Sequence, residues 1–330
     1  MVRSEVIDLG RARRMLFRQA RASAVKVFSL EELGLDGDAV VRRLGPSFMD
    51  LRFDPYDTAL AAERLLRRHD PGLYRAAEGE WLRFWQTMGT KEITSGNAGP
   101  AFWRERVVDT DLRAALAAMK PYRRRSCFQF SARQQRSGGP WWVQEKGSPV
   151  FAQAVSDVRA RPRRFESCAP VVYRDDAVCI LVAFACQVAV SAADLPCADL
   201  RVTLHQMLTY ASPNGGSPAP EGRHQDGSDF IVSALVVERN NVVGGASTIY
   251  YDRSGHAALG PLELQPGDGI LQADMYLDLW HDVSPIYPRD ESHEAYRSIL
   301  GLDLDFTSAT RNVRTELARG LKLLRSRSFR

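Results

Sequence analysis

The chain has 330 residues, of which 45% are apolar and 25% are charged, and its formal net charge is +4. These values exclude a disordered or collagen-like chain and are typical of a globular protein with one large domain, or one domain and an extension. We recognise no signal-peptide pattern and no apolar run long enough to span a membrane. The five cysteines are odd in number and lack Cys-x-x-Cys spacing, which predicts free thiols and a cytoplasmic location.

The first 120 residues are predicted to be mainly helical. After a basic leader at 1–25, patterns typical of helices occupy 29–44, 57–68, 75–88 and 110–119, with a Gly/Thr/Ser/Asn loop at 89–99. Ser29 and the pair Asp57 and Thr58 are the predicted helix caps. We therefore expect residues 1–120 to form an N-terminal region in which 58–120 is a helical insertion packed on the core.

From residue 121 the pattern changes to regularly spaced apolar runs separated by Gly, Pro and Asn. Ser148 and Pro149 indicate the start of a helix that reaches about 159. Strands are predicted at 123–130, 168–173, 178–190, 202–210, 230–237, 248–252, 269–273, 279–283 and 298–306. This spacing predicts a mainly β fold, a barrel or a jelly roll, at 121–308, followed by a basic amphipathic helix in 309–330.

His224 and Asp226 lie two residues apart in an extended segment, so their side chains project from the same face. A bare His-x-Asp is a weak signal, but here a glycine and an apolar strand follow it, and a Gly-Gly turn opens the next strand. His281, in the short segment 279–283, is the best third ligand, whereas we expect His205 to be a packing residue near the site. Two imidazoles and one carboxylate with open positions suit a non-haem Fe(II) oxygenase.

The sequence resembles the Fe(II)/2-oxoglutarate-dependent dioxygenases, most closely the bacterial branch that hydroxylates free amino acids, typified by isoleucine 4-hydroxylase. The resemblance covers about 121–306 and is carried by Pro-Glu-Gly-Arg-His-Gln-Asp-Gly at 220–227, Arg-Asn-Asn-Val-Val-Gly-Gly at 239–245 and His-Asp-Val-Ser-Pro at 281–285. It implies a double-stranded β-helix (jelly-roll) core with flanking helices. It also implies Fe(II) held by His224, Asp226 and His281, with 2-oxoglutarate and O2 as cosubstrates.

The reaction that the resemblance implies is hydroxylation of an unactivated C–H of a free amino acid or amino-acid-like metabolite, with release of succinate and CO2. It places the arginine for the distal carboxylate of 2-oxoglutarate at Arg297, because a planar guanidinium binds a carboxylate bidentately. Arg289 and Arg201 are the alternatives for this role. Gln206 matches a polar position on an earlier strand and is a further candidate for contacting the cosubstrate.

The face on which Arg297 lies presents a conflict. In strict alternation Arg297 shares its face with Asp303 and Asp305, which we expect to point to solvent, while the intervening leucines at 300, 302 and 304 form the buried set. A β-bulge, or a strand that ends near residue 302, would remove the conflict.

The substrate-binding residues are not fixed by the sequence. A carboxylate and an ammonium group would need partners of opposite charge, and the candidates are Arg223, Asp229 and Trp280, then Arg123 to Arg125, Glu145, Trp141, Trp142 and Tyr276. Three alternatives remain open: a desaturase on the same scaffold, an enzyme whose substrate is attached to a carrier, and a non-catalytic jelly-roll binding module.

Arginine clusters at 11–21, 123–125, 161–164 and 319–330 account for much of the positive charge. We interpret them as solvated faces, since no base-reading element accompanies them. The expected partner is therefore a small molecule, and neither a membrane nor a nucleic acid is expected. The sequence leaves the oligomeric state open.

Overall fold

The structure, a computed structural model, describes residues 4–7, 25–90, 98–136, 138–147, 150–155, 158–195 and 198–307. Its strands are β1 (Ser4–Ile7), β2 (Val25–Ser29), β3 (Arg123–Gln134), β4 (Trp141–Gly147), β5 (Val150–Phe151), β6 (Arg163–Arg164), β7 (Glu166–Ser167), β8 (Ala198–Tyr210), β9 (Phe230–Asn240), β10 (Val242–Gly244), β11 (Ser247–Tyr250), β12 (Ala257–Leu262), β13 (Asp268–Ala273), β14 (Trp280–Val283), β15 (Ile286–Pro288) and β16 (Tyr296–Phe306). Its helices are α1 (Gly37–Leu44), α2 (Pro55–His69), α3 (Pro71–Thr90), α4 (Ala98–Arg104), α5 (Thr110–Ala118), α6 (Pro170–Tyr173) and α7 (Asp176–Ala192).

A large antiparallel sheet with the order β1–β4–β3–β8–β16–β9–β13–β2 is the framework of the fold, and β7 runs parallel to β3 beside it. A smaller sheet with the order β12–β11–β14 and the pair β10–β15 complete the strand pairing of the jelly roll. The predicted mainly β fold, a double-stranded β-helix with flanking helices, is confirmed. No helix in the described ranges is long and apolar enough to cross a membrane.

The central strand β16 is buried on both faces. Leu300, Leu302 and Leu304 join one apolar cluster with the residues of α7, whereas Arg297 and Asp303 line a cavity on the other face. Alternation along the strand is therefore kept, and the expectation that Asp303 faces solvent is wrong. The β-bulges predicted as a remedy do occur, as register shifts where β16 pairs with β9, but the conflict disappears because both faces are covered.

Two predicted strands are helices in the structure. Residues 178–190 belong to α7, whose N-cap Asp175 accepts a hydrogen bond from Ala177 N at 2.9 Å, and residues 170–173 form α6, with Pro170 in its first turn. A fully buried segment is apolar all round, so periodicity cannot separate a helix from a strand. The run at 178–190 is longer than the roughly eight residues of most strands, but length alone does not decide, since the buried strand β16 has 11 residues.

Two predicted helices differ as well. Residues 150–151 form β5, which pairs with β6, and Val158–Ala160 is a single 3-10 turn. The β-branched Val150 and aromatic Phe151 favour a strand, and they outweigh the helix-start signal. The predicted helix at 29–44 is divided at Gly34, whose φ of 76° is left-handed: Ser29 ends β2, and α1 begins at Gly37 with Asp36 as its N-cap.

The helices predicted at 57–68, 75–88 and 110–119 are confirmed as α2, α3 and α5, although α2 begins earlier and its cap is Asp54 rather than Asp57. They enclose a second apolar cluster around Trp81, Trp85 and Trp103. At its centre, the buried Glu63 carboxylate accepts hydrogen bonds from Arg161 Nη1 at 2.8 Å, Trp81 Nε1 at 3.1 Å, Tyr74 OH at 3.0 Å and Arg67 Nη2 at 2.8 Å.

The proposed division into an N-terminal region at 1–120 and a core at 121–308 stays a prediction. Cys127, Phe151 and Phe165, all beyond residue 120, pack in the same cluster as the helices, so the helical region is joined to the sheet by a continuous apolar contact. The predicted helix in 309–330 and most of the leader at 1–25 lie outside the described residues; within the leader, Ser4–Ile7 is a strand.

Candidate metal centre

Two backbone hydrogen bonds bring His224 and His281 together. His224 N donates to His281 O and His281 N donates to His224 O, each at 2.9 Å, so the two residues form an antiparallel bridge between the segment before β9 and strand β14. Paired residues on neighbouring extended segments project their side chains to the same side. The two imidazole centroids are consequently 4.3 Å apart.

Asp226 completes a compact group of three donors. Its Oδ1 is 3.6 Å from His224 Nε2 and its Oδ2 is 3.5 Å from His281 Nε2. One ligand atom from each residue lies within 4.8 Å of the other two. His224 Nδ1 donates to Gly222 O at 2.7 Å, which fixes the ring with Nε2 toward Asp226, where a cation that displaces the Nε2 proton gains the lone pair.

The three residues share charge, with the carboxylate of Asp226 balanced by the imidazole of His224. The Asp226 pKa lies well below its usual range because, although burial raises it, the hydrogen bond from His224 and the two imidazoles stabilise the carboxylate. Burial lowers the pKa of His224, but Asp226 more than offsets this and raises it to about 9. Burial and the neighbouring His224 lower the pKa of His281 to about 3.

The turn after Asp226 is held from both sides. Gly227 has a φ of +87°, and a Cβ there would lie 2.8 Å from Ala154 N, so only glycine fits this close approach. Gly227 N and Ser228 N donate to the buried Asp274 Oδ2 at 2.7 and 3.2 Å. Gln153 Nε2 donates to Asp226 Oδ1 at 2.9 Å and orients the carboxylate toward the two histidines.

Arg297 lies in the same cavity as the triad and is 2% exposed. Its Nε and Nη2 are buried and have no acceptor among the described residues, and desolvation, together with the adjacent Arg239, lowers its pKa to about 10. Gly245, with a φ of +71°, passes so close that a Cβ there would lie 3.2 Å from Arg297 Cδ. A buried guanidinium without an acceptor is a binding group for an anion.

Gln206 and the substrate candidates Arg223, Asp229 and Trp280 do not line this cavity. Gln206 lies on the opposite face of β8 from the cavity-lining His205, and its amide is bonded to Ser126 and Ser47. Arg223 stacks on Tyr250 at 3.9 Å. The remaining two candidates are also elsewhere: Asp229 Oδ2 accepts a hydrogen bond from Phe306 N at 2.7 Å, and Trp280 is stacked under Arg253 at 5.6 Å.

The alternatives for the 2-oxoglutarate arginine are placed outside the cavity too. Arg201 pairs with Asp305 at 2.9 Å on an exposed part of the sheet, and Arg289 is exposed. Of the remaining substrate candidates, Glu145 pairs with Arg174 at 2.8 Å and Trp141 is in the core. Arg297 is thus the one predicted cosubstrate residue that the structure brings to the triad.

Two of the substrate candidates, Arg123 and Arg125, do line the cavity, whereas Arg163 was missed. The clusters at 123–125 and 161–164, expected to be solvated, place Arg123, Arg125 and Arg163 in the cavity wall, and Arg123 and Arg163 are only 6% and 4% exposed. Because side chains alternate along a strand, Arg123 and Arg125 lie on one face of β3 and Phe128 and Phe130 on the other. This alternation was the sequence signal that the two arginines share a face. Nothing local in the sequence distinguishes Arg163 from its neighbours.

Comparison with known proteins defines the class. Residues 107–303, more than half of the chain, match a family model described as 2OG-Fe dioxygenase. The protein therefore belongs to the 2OG-Fe dioxygenase family: it is an oxidoreductase that uses Fe(II), 2-oxoglutarate and O2. The predicted class of enzyme and its predicted cosubstrates are confirmed.

Three solved structures are similar to this chain at low identity, and the first of them supports the fold. A bsmA homologue from Methylobium petroleophilum PM1 is 19% identical, with 91% of this chain and 95% of that chain covered and a TM-score of 0.55. The Fe(II)/α-ketoglutarate-dependent dioxygenase TqaL is 14% identical, with 88% and 86% covered and a TM-score of 0.45. IDO from Bacillus thuringiensis is 15% identical, with 61% and 88% covered and a TM-score of 0.41. A search of curated proteins found no match.

The residues in the cavity fit what the family requires. Two imidazole nitrogens and one carboxylate converge with open space beside them, which is the donor set that non-haem Fe(II) oxygenases use. The buried Arg297, with donors that lack acceptors, fits the distal carboxylate of a dicarboxylic cosubstrate. Iron and 2-oxoglutarate can therefore be accommodated by residues of one cavity.

Proposed function

We propose that His224, Asp226 and His281 bind Fe(II) and that Arg297 binds the distal carboxylate of 2-oxoglutarate. We further propose that the enzyme hydroxylates an unactivated C–H of a free amino acid or amino-acid-like metabolite, with release of succinate and CO2. One observation carries the proposal: the convergent ligand atoms line the same cavity as Arg297, whose buried Nε and Nη2 find no acceptor in the described part of the chain.

The residues of the chain have distinct tasks in this scheme. When bound, iron and 2-oxoglutarate supply the oxidant, because oxidative decarboxylation of the cosubstrate by O2 drives the attack on the C–H bond. His224 is fixed through Gly222 O and Asp226 through Gln153, so the ligands are already oriented before a cation arrives. Arg297 sets the distance at which a dicarboxylate can reach the metal, and the buried walls keep bulk water out.

The character of the cavity supports an amino-acid substrate. Besides the triad and Arg297, its lining includes guanidinium groups, such as those of Arg125 and Arg163, and the carboxylate of Glu221. A zwitterion presents one charge of each sign, so a pocket that offers both signs suits it. Glu221 stays ionised because, although burial raises its pKa, Arg123 and His224 outweigh burial and lower it.

Succinate formation tests the proposal. Protein purified without oxygen is given Fe(II), 2-oxoglutarate and O2 across a panel of free amino acids, with His224→Ala as the metal-site control. We expect one amino acid to stimulate succinate release and to yield a product heavier by one oxygen atom, and the variant to be inactive. A product lighter by two hydrogens would identify a desaturase instead.

The same assay separates the remaining alternatives. Slow succinate release that no free amino acid stimulates would favour a carrier-bound substrate. Absence of both turnover and 2-oxoglutarate binding by the iron-loaded wild-type protein would contradict the proposal and leave a non-catalytic jelly-roll module.

A further inference from the structure

Two arginines in the cavity, Arg125 on β3 and Arg163 on β6, have no carboxylate within 4.0 Å among the residues that the structure describes. The neighbouring Arg123 provides the contrast, because Asp57 accepts two hydrogen bonds from its guanidinium and neutralises it. The Nε–H groups of Arg125 and Arg163 are buried without an acceptor. Among the described residues the pair therefore lacks a directly bonded carboxylate, although Asp303 acts on both guanidinium groups at longer range.

The two guanidinium groups contact the same aromatic ring. Arg125 Cζ is 5.3 Å and Arg163 Cζ is 5.0 Å from the ring centroid of Phe151. Burial and the repulsion from Arg125 lower the pKa of Arg163 to about 10. Placing like charges together in a desolvated site is unfavourable unless a group of opposite charge joins them.

Hydrogen bonds to neighbouring side chains orient the guanidinium groups of Arg125 and Arg163. Arg125 Nη2 donates to His205 Nδ1 at 3.2 Å, so the proton of this imidazole is on Nε2, which donates to Asp303 Oδ2 at 3.1 Å. Arg163 Nη2 donates to Gln153 Oε1 at 2.7 Å. The same Gln153 amide donates to Asp226 Oδ1 at 2.9 Å, so Arg163 is separated from the metal ligand Asp226 by one side chain.

The pair is distinct from Arg297. Across the sheet, Arg125 is opposite Met207 on β8, and Met207 is opposite Ile299 on β16. Strands are spaced at ~4.8 Å, so the backbones of Arg125 and β16 lie ~10 Å apart. The charges that act on Arg297 are those of Arg239 and Glu263, not of the pair. The cavity thus has two cationic ends, one for the cosubstrate and one for a second anion.

We propose that Arg125 and Arg163 together bind a free carboxylate of the substrate, and so make the enzyme selective for free acids over substrates whose carboxyl group is joined to a carrier. This proposal rests on the proposed function, since it assumes that 2-oxoglutarate occupies the end at Arg297. An amide or thioester carbonyl at the same place carries no charge and leaves both guanidinium groups without a directly bonded carboxylate.

The test compares free L-amino acids with their α-carboxamides by calorimetric binding to the Fe(II)-loaded protein, without oxygen and with saturating 2-oxoglutarate. We expect at least one acid to bind wild-type protein at least about 10-fold more tightly than its amide, as a charge-assisted hydrogen bond implies. Arg125→Gln and Arg163→Gln should each weaken binding of the acid by about 10- to 100-fold and leave binding of the amide within about twofold. Arg133→Gln is the matched control, because Arg133 is on the same strand with a side chain 62% exposed.

Two results would overturn the proposal. One is a wild-type protein that binds no acid in the panel more tightly than its amide, a comparison that needs no variant. The other is undiminished binding of the acid by both glutamine variants. Affinity for 2-oxoglutarate, measured first, separates this failure from a failure of the proposed function. Wild-type protein that binds 2-oxoglutarate but discriminates no acid refutes only the carboxylate site, whereas loss of 2-oxoglutarate binding refutes the function itself.

Discussion

Replacement of Arg297 by methionine should stabilise the unliganded protein and weaken its binding of 2-oxoglutarate. Both effects follow from one feature: the guanidinium is 2% exposed and has donors without acceptors among the described residues. Without a bound anion, we expect this buried charge to destabilise the folded protein. When an anion is bound, we expect the same charge to be the principal binding group.

The magnitudes can be worked from the structure. Burial, together with Arg239, holds the pKa of Arg297 at about 10 instead of 12.5, so below that pH the charged guanidinium destabilises the folded protein relative to the unfolded protein. Since 1.36 kcal/mol corresponds to a tenfold change in the proton equilibrium, the penalty is about 3 kcal/mol. Met fills similar space without charge, and buried ions replaced by apolar groups often stabilise by about 1–4 kcal/mol. Loss of the bidentate contact should weaken 2-oxoglutarate binding by about 100-fold.

Urea unfolding of the metal-free protein and calorimetric titration of the iron-loaded protein with 2-oxoglutarate measure the two effects separately. We expect the Arg297→Met variant to have a higher free energy of unfolding and a much higher Kd than wild type. A variant that is less stable without ligand, or that binds 2-oxoglutarate as tightly as wild type, would refute the assignment of Arg297.

Three further substitutions test the supports of the site and of the helical region. Gly245→Ala should cost about 1–2 kcal/mol of stability, because φ is +71°, and should raise the Kd for 2-oxoglutarate by displacing Arg297; an unchanged Kd argues against the contact. Asp274→Ala should remove the acceptor that orders the turn after Asp226 and weaken Fe(II) binding by about 10-fold, measured by anaerobic titration. Unchanged affinity would show that the turn keeps its conformation without Asp274. Glu63→Gln should lower the free energy of unfolding by about 3 kcal/mol at pH 7. Burial raises the pKa of Glu63, but Arg161 and the other donors outweigh it and lower the pKa below 4.5, so the wild-type advantage should persist above pH 4.5 and disappear as the pH falls through the lower folded value; an advantage that is independent of pH refutes this origin.

The convergence of the three proposed metal ligands was predictable because its signal is local. The order of the segments around His224, Asp226 and His281 fixes a strand end, a turn and a later strand, and the jelly roll brings such segments together. The position of Arg297 also followed from this order. Its environment did not, since a charged residue that alternates with leucines has the same pattern whether its face meets solvent or a polar cavity. Asp303 was misassigned for that reason.

The helix α7 shows a second limit. Its residues are apolar on every side because the sheet and neighbouring elements cover it, so no hydrophobic periodicity distinguishes it from a strand. Arg125 and Arg163 show a third limit. They come from distant segments, and only the pairing of β5 with β6 and the contact of both arginines with Phe151 bring them to one place. A run of arginines in a sequence does not reveal that a fold will enclose it.

Anaerobic Fe(II) titration of wild-type protein beside His224→Ala, Asp226→Ala and His281→Ala tests the central claim most directly. We expect wild-type protein to bind one Fe(II) per chain and each variant to lose at least about 10-fold in affinity, while its unfolding profile without metal stays cooperative. The matched control is His256→Ala, whose imidazole is exposed and bonded to Asp252, and it should bind iron like wild type. Retention of wild-type affinity by any of the three triad variants would contradict the proposed metal centre.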